Sequence, residues 1–191
     1  MLKELILKNR SFRRFDEKVA ITRDALESLV DLARLTGSAA NRQPLKYYLA
    51  SDSELNGQLF PCLAWAGYLK DWSGPAVGER PTGYIVMVLD TAITANQAFD
   101  GGIAAQSILL GAVEQGLGGC MLAAVQWDEV RRILAIPDRY QPILMIALGK
   151  PVEQVVLEPM EPGPEADFKY WRDERQIHHV PKRALAEILL N

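Results

Sequence analysis

Tyr84-Ile85-Val86-Met87-Val88-Leu89 is the stretch that decides the fold. Six apolar residues follow one another without a polar break, where a strand with one wet face would alternate. Such a run belongs to a strand buried at the centre of a sheet. Towards the N-terminus the period changes. Leu26, Leu29, Val30 and Ala33 recur at three- and four-residue spacing behind Thr22, an N-cap residue, which predicts a helix over roughly 22–35. Leu2, Leu5 and Ile6 make Leu2 to Lys8 a short amphipathic helix. Gly37-Ser38-Ala39-Ala40-Asn41 ends the longer helix in small residues, Pro44 closes that loop, and Lys46 to Ala50 reads as a strand. Asp71 to Pro81 is a loop rich in Gly and Pro. Beyond the central run, Thr94 to Gln115 has a helical pattern carrying Ala98, Ile103, Ala105 and Leu109. It is apolar almost all round, which predicts burial in the protein or in a subunit interface. Gly116 suits its C-terminal end. Asp128 to Ala135 reads as a helix, Pro142 to Leu148 as an apolar strand, and Ala184 to Leu190 as a short terminal helix. Glu158 to Asp167, with three prolines, predicts an extended arm. There is no internal repeat, and the irregular alternation of helices and strands makes the fold class α+β.

Composition narrows the function. The chain has 191 residues, enough for one domain, 1–191, with its own core, and its apolar share of 49% suits a globular protein. A formal charge of −3 argues against nucleic acid, which calls for a basic face over the whole domain. No apolar run reaches the ~18 residues of a membrane helix. Cys62 and Cys120 form no CxxC and no disulfide framework. Met1 to Lys8 lacks the charged-then-apolar form of a signal peptide. The expectation is a soluble cytoplasmic protein.

Against that mild acidity, cations concentrate at both ends. Asn9-Arg10-Ser11-Phe12-Arg13-Arg14-Phe15 packs three guanidiniums and a hydroxyl into a short segment, and Val180-Pro181-Lys182-Arg183 places a basic pair far away. Arginine forks match phosphate oxygens two bonds at a time, so the two segments are candidates to hold one anionic group between them. The usual catalytic constellations are missing. His178 and His179, the only histidines, are neighbours on an extended segment and point to opposite faces, so they do not ligate one metal together. No metal site is expected. There is no GxSxG elbow, no GxxxxGK[ST] phosphate loop and no GxGxxG spacing. A bound cofactor is therefore expected to supply the reaction.

Four segments, in order along almost the whole chain, resemble the nitroreductase-like flavoproteins. Arg10-Ser11-Phe12-Arg13-Arg14-Phe15 is similar to their RSxR[KR]F opening. Thr36-Gly37-Ser38-Ala39-Ala40-Asn41-Arg42-Gln43-Pro44 is similar to their A-P-S-x-x-N-x-Q-P loop. Asp100 to Gln106, followed by Glu114 to Cys120, is similar to their D-x-G-x-x-x-Q helix and G-L-G-x-C turn. Val180 to Arg183 is similar to their C-terminal basic site. The resemblance implies an α+β fold with a central, mostly antiparallel sheet flanked by helices, in an intertwined homodimer. Each of its two interfacial sites would hold one non-covalent FMN. NAD(P)H would deliver a hydride to flavin N5, and a small acceptor such as a nitroaromatic or a quinone would take it.

The same resemblance assigns residues. Arg10, Ser11 and Lys182 or Arg183 would hold the FMN phosphate, and Arg13 would stand beside the pyrimidine edge of the flavin. Ser38 and Asn41 would reach the cofactor of the opposite subunit, although a plain helix-ending turn accounts for the same small residues. Gln106, inside an apolar helix, would either meet the cofactor or bond to backbone. Leu122, Ala123 and Ala124 match the segment whose backbone N–H faces flavin N5; a buried strand end carries the same residues. Asn9 stands where many members have a further arginine, and Trp65 to Trp72 is unusually aromatic, either lining the pocket or packing in the core. The alternative reading is a flavin-binding carrier or sensor, or a non-catalytic dimeric partner-binding protein.

Overall fold

Strand β2 (Gly83–Asp90) is buried along all eight residues in the computed structural model, which describes residues 1–96 and 99–190. It pairs antiparallel with β1 (Leu45–Ala50) on one side and β4 (Tyr140–Gly149) on the other. β3 (Gly118–Leu122) pairs antiparallel with β4 and completes the order β1-β2-β4-β3. Alternate side chains of β2 enter two different cores, which is why its sequence has no polar phase. Tyr84, Val86 and Val88 join Met145 and Ala147 beneath α3 (Ser53–Leu59) and α5 (Trp127–Leu134). Ile85 and Met87 join Ile146 and Leu148 beneath α2 (Arg23–Arg34) and α4 (Asp100–Glu114). Each fully buried Leu, Ile or Met contributes about 1.5–3 kcal/mol of transfer free energy.

Local signals set several boundaries. Thr22 Oγ1 accepts from the Ala25 N–H at 3.2 Å and starts α2. Gly116, at φ +71, follows the C-cap of α4 in the left-handed conformation that favours glycine. α4 itself starts at Asp100, later than the apolar pattern suggests, and Ala98 lies outside the described residues. The sequence pattern gives no hint of α3. Its start is Asp52, whose Oδ1 accepts from the Glu54 and Leu55 N–H groups at 2.9 and 3.0 Å, too short a helix to show a period. β3 hides behind Gly118-Gly119, which look like turn residues. They are required by contact instead: a Cβ on Gly119 would sit 2.5 Å from the Ala147 carbonyl oxygen.

Beside the main sheet, β5 (Val155–Pro159), β6 (Trp171–Arg172) and β7 (His178–Lys182) form a second one in the order β5-β7-β6. β5 and β7 run parallel, so Glu158 and Pro159, expected in an extended arm, are sheet residues. Short helices α1 (Leu2–Lys8) and α6 (Leu185–Ile188) flank the two ends. Ser11 forms a parallel bridge with Gly119, which lays the arginine-rich segment along the outer edge of β3. Among the described residues, no helix is long and apolar enough to cross a membrane.

Candidate functional site

The bridge at Ser11 sets the site. Behind it, a cleft of about 310 Å³ is lined by Arg10, Ser11 and Arg13 from the segment after α1, Gln106 from α4, and Lys182 from β7. Both basic termini of the sequence therefore meet at one place. β7 presents alternate residues, His178, Val180 and Lys182, to the cleft. Arg183 falls in the other phase. Its Nη1 donates to the Gly163 carbonyl at 3.1 Å and lies 3.5 Å from Glu187 Oε1. Of the two basic residues left open by the sequence, Lys182 is the one in the cleft.

Arg10 is half-buried. Its Nη2 donates to the Ile6 carbonyl at 2.7 Å, its Nε is buried with no partner, and it makes no ion pair among the described residues. Burial pulls its pKa below the ordinary arginine value. A half-desolvated cation lacking a counter-ion is a ready acceptor for an anion.

Arg13 is built into a buried network. Its backbone N–H donates to Glu153 Oε1, and Glu153 Oε2 accepts from Arg172 Nη2 at 3.2 Å. The Arg13 guanidinium donates from Nη1 to the Ser11 carbonyl at 3.2 Å, approaches His178 Nε2 at 3.3 Å, and lies 4.8 Å over the Tyr170 ring. His178 is 1% exposed, and burial, reinforced by Arg13 and Arg172, pushes its pKa down to about 4. The imidazole is therefore neutral at pH 7, and Nε2 accepts from Arg13. His179 points the other way, with Nδ1 2.7 Å from Glu158 Oε1 and its ring stacked on Trp171. Sequence alone only argues against a metal shared by His178 and His179. The packing of His178 against Arg13, and the presence of Glu153, Tyr170 and Arg172 around that arginine, have no local signal.

Three further expected residues lie on α4 and on the loop after α2. Gln106 is exposed on α4 and borders the Arg10 cleft. The helix is apolar almost all round, but only one side of it faces the core; Phe99 before it and Ile103 within it are 83% and 43% exposed. Ser38 and Asn41 do not line the Arg10 cleft; Ser38 borders a separate cleft beside Tyr47 and Asp100. The Ser38 hydroxyl donates to Asp100 Oδ2 at 2.6 Å, and the Ala39 N–H donates to Oδ1 at 2.9 Å. Asp100 is thus the anchor of this loop. Ala40, Asn41 and Gln43 all have φ between +50 and +54, left-handed conformations that non-glycine residues adopt at a cost. Gln43 Nε2 donates to the Asn41 Oδ1 and carbonyl oxygens and fixes the turn.

Leu122 is buried at the end of β3, whereas Ala123 and Ala124 are exposed. The Ala124 carbonyl accepts from the Ala64 N–H at 3.0 Å, and among the described residues no acceptor pairs with the Ala123 or Ala124 N–H. Two backbone donors are thus free beyond the strand. Trp65 is buried in the core, as packing predicts, but Tyr68 is 46% exposed and touches the rings of Phe168 and Tyr170, which closes an aromatic wall next to Arg13. Among the described residues, no group of His, Cys, Asp and Glu has the arrangement of a metal site.

These elements have counterparts in known proteins. The model of the nitroreductase family matches residues 6–150, about three quarters of the chain. A "NADPH-flavin oxidoreductase" from Vibrio harveyi is 24% identical over 177 residues, covering 84% of this chain and 70% of that one. A nitroreductase family protein from Streptococcus pneumoniae superposes with a TM-score of 0.67 at 20% identity, over 86% of this chain and 96% of that one. An FMN-dependent nitroreductase from Clostridium difficile superposes with a TM-score of 0.63 at 22% identity, over 78% and 87%. The all-antiparallel main sheet between two helical layers is the fold these structures share. The chain belongs to the nitroreductase family.

Proposed function

We propose that this protein is an FMN-dependent NAD(P)H oxidoreductase that works as a homodimer, with residues 1–191 as one FMN-binding domain. The observation that carries the reading is the Arg10 guanidinium, partly desolvated and with its Nε unpartnered, in the same cleft as Ser11, Arg13 and Lys182. That donor set suits a phosphate dianion, and the names of the Vibrio harveyi and Clostridium difficile relatives point to a flavin. The chemistry that FMN supplies when bound is hydride transfer at N5, between NAD(P)H and a small acceptor such as a nitroaromatic or a quinone.

The chain's own groups divide the remaining work. Arg10, Ser11 and Lys182 bind the phosphate, with charge-assisted hydrogen bonds worth about 1.5–3 kcal/mol each. Arg13, held by Ser11, His178 and Tyr170, sets a fixed positive charge beside the pyrimidine edge and favours electron gain there. The free N–H groups of Ala123 and Ala124, after Leu122, face the N5 side, and Gln106 borders the cleft from α4. Ser38 and Asn41 complete the site from the partner subunit, on a loop pinned by Asp100.

The exposed face of α4, with Phe99 and Ile103, and the adjoining Leu2 and Ile6 of α1 support the dimer, because apolar area of this kind marks an interface. Two free, buried cysteines support a reducing, cytoplasmic setting. The test is an absorption spectrum of the purified protein, alone and with NADH or NADPH under anaerobic conditions. A flavin band bleached by either nucleotide is expected. A protein that stays colourless after FMN is added overturns the proposal, and a yellow protein that neither nucleotide reduces points to a carrier or sensor instead.

A further inference from the structure

A second cleft, of about 300 Å³, lies between α3 and the start of β2 and shares no lining residue with the Arg10 cleft. Three of its lining residues carry a buried polar atom without a partner: Asn56 Oδ1, Arg80 Nε and the Tyr84 hydroxyl. Asn56 is 9% exposed and Tyr84 0%. Asn56 Nδ2 donates to the Thr82 carbonyl at 2.9 Å, which fixes the amide so that its oxygen is the unmatched end. The Arg80 guanidinium stacks 4.4 Å over the Phe60 ring and makes no ion pair among the described residues. Glu17 lines the same cleft. Its Oε2 accepts from the Gly78 and Arg80 backbone N–H groups, which fixes the carboxylate in place. Burial keeps the Tyr84 phenol well above its ordinary pKa, so it is an O–H donor at pH 7.

An unmatched buried polar atom costs about 1–3 kcal/mol, so a ligand that pairs with these three gains by it. Their chemistry is two-sided. Arg80 and Tyr84 offer donors and a positive charge; Asn56 Oδ1 and Glu17 offer acceptors and a negative one. A plain anion would meet Glu17, and a plain cation would meet Arg80. We propose that this cleft binds a small free α-amino acid, with its carboxylate on Arg80 and the Tyr84 hydroxyl and its ammonium on Asn56 Oδ1 and Glu17. Phe60 and Pro81 provide the apolar remainder of the wall, and the modest volume restricts the side chain to a short one.

The test is calorimetric titration of the purified protein, with whatever cofactor it carries, against each standard amino acid, with acetate and methylamine as single-charge probes. Saturable binding of a small amino acid is expected, with acetate and methylamine at least about tenfold weaker. Tyr84→Phe should weaken it about tenfold and Arg80→Gln by about thirtyfold, the loss of a neutral and of a charge-assisted hydrogen bond. Flavin binding by both variants should be unchanged, so the outcome is independent of the reading of the Arg10 cleft. Absence of binding by any amino acid overturns the proposal, as does acetate binding as tightly as the best amino acid, or a crystal soaked with that amino acid that shows only ordered water on Asn56 and Tyr84. The comparison of probes on the unaltered protein stands even if a variant fails to fold.

Discussion

Arg13 and His178, 165 residues apart in sequence, meet with Nη1 3.3 Å from Nε2. Because the imidazole is neutral, the contact orients the guanidinium without adding a second charge at that point. The nearby carboxylate of Glu153 is held by the Arg13 backbone and by Arg172. The guanidinium's positive charge is thereby left available to the cleft.

Arg13→Ala should therefore lower the reduction potential of the bound flavin, as measured by anaerobic potentiometry. It should also raise the His178 pKa, since Arg13 is one of the charges that depress it. A proton NMR titration reads that second effect without any cofactor. An unchanged potential would place Arg13 away from the flavin ring.

Arg10→Ala should weaken FMN binding about 10- to 100-fold, the loss of one charge-assisted contact. Lys182→Ala should act in the same direction. Arg183→Ala should change the affinity less than about threefold, because that side chain is turned to Glu187 and Gly163. Flavin fluorescence titration of the three variants checks the order. Equal losses for Lys182 and Arg183 would contradict the strand phase of β7.

His178 makes stability depend on pH. Its pKa is 6.5 in the ordinary state and about 4 when folded. Between those values the unfolded chain binds a proton that the folded one refuses, so stability is full above pH 6.5 and falls as pH drops towards 4. His178→Gln should flatten this part of the profile. Melting temperatures at pH 7 and pH 5 suffice: the drop seen in the unaltered protein should shrink in the variant. His179 has the opposite sign. Glu158 and Asp173 raise its pKa, so its contribution is complete below pH 6.5 and fades as pH rises through the raised value.

Asp100→Ala removes both acceptors of the loop that carries Ser38 and Asn41. The half-buried Ser38 hydroxyl and the Ala39 N–H then lose their charged acceptor, at a cost of about 1–3 kcal/mol in urea unfolding. Flavin affinity should fall with it if the loop closes the partner's site. Ser38→Ala should cost less, because the Ala39 N–H still reaches Asp100.

The sequence and the structure agree where the information is local. Thr22 announces its helix because a cap is a matter of three residues, and the apolar run from Tyr84 to Leu89 announces a strand because both its faces are buried. α3 escaped notice because seven residues are too few to show a period, and β3 because its glycines are demanded by Ala147 and Phe12, which lie far away in sequence. The setting of Gln106 is not legible locally, because the apolar composition of α4 does not say that one of its sides is left uncovered.

By itself, then, the order of residues determined the α+β class, most of the elements and the four segments of the family pattern, all of which rest on period, capping or short spacing. Only the tertiary structure decided that Lys182 rather than Arg183 enters the cleft, that Asp100 holds Ser38, and that His178 supports Arg13. The physical reason is that a strand sends neighbouring residues to opposite sides, so which of two adjacent residues points inwards is set by pairing with distant strands once the chain has closed.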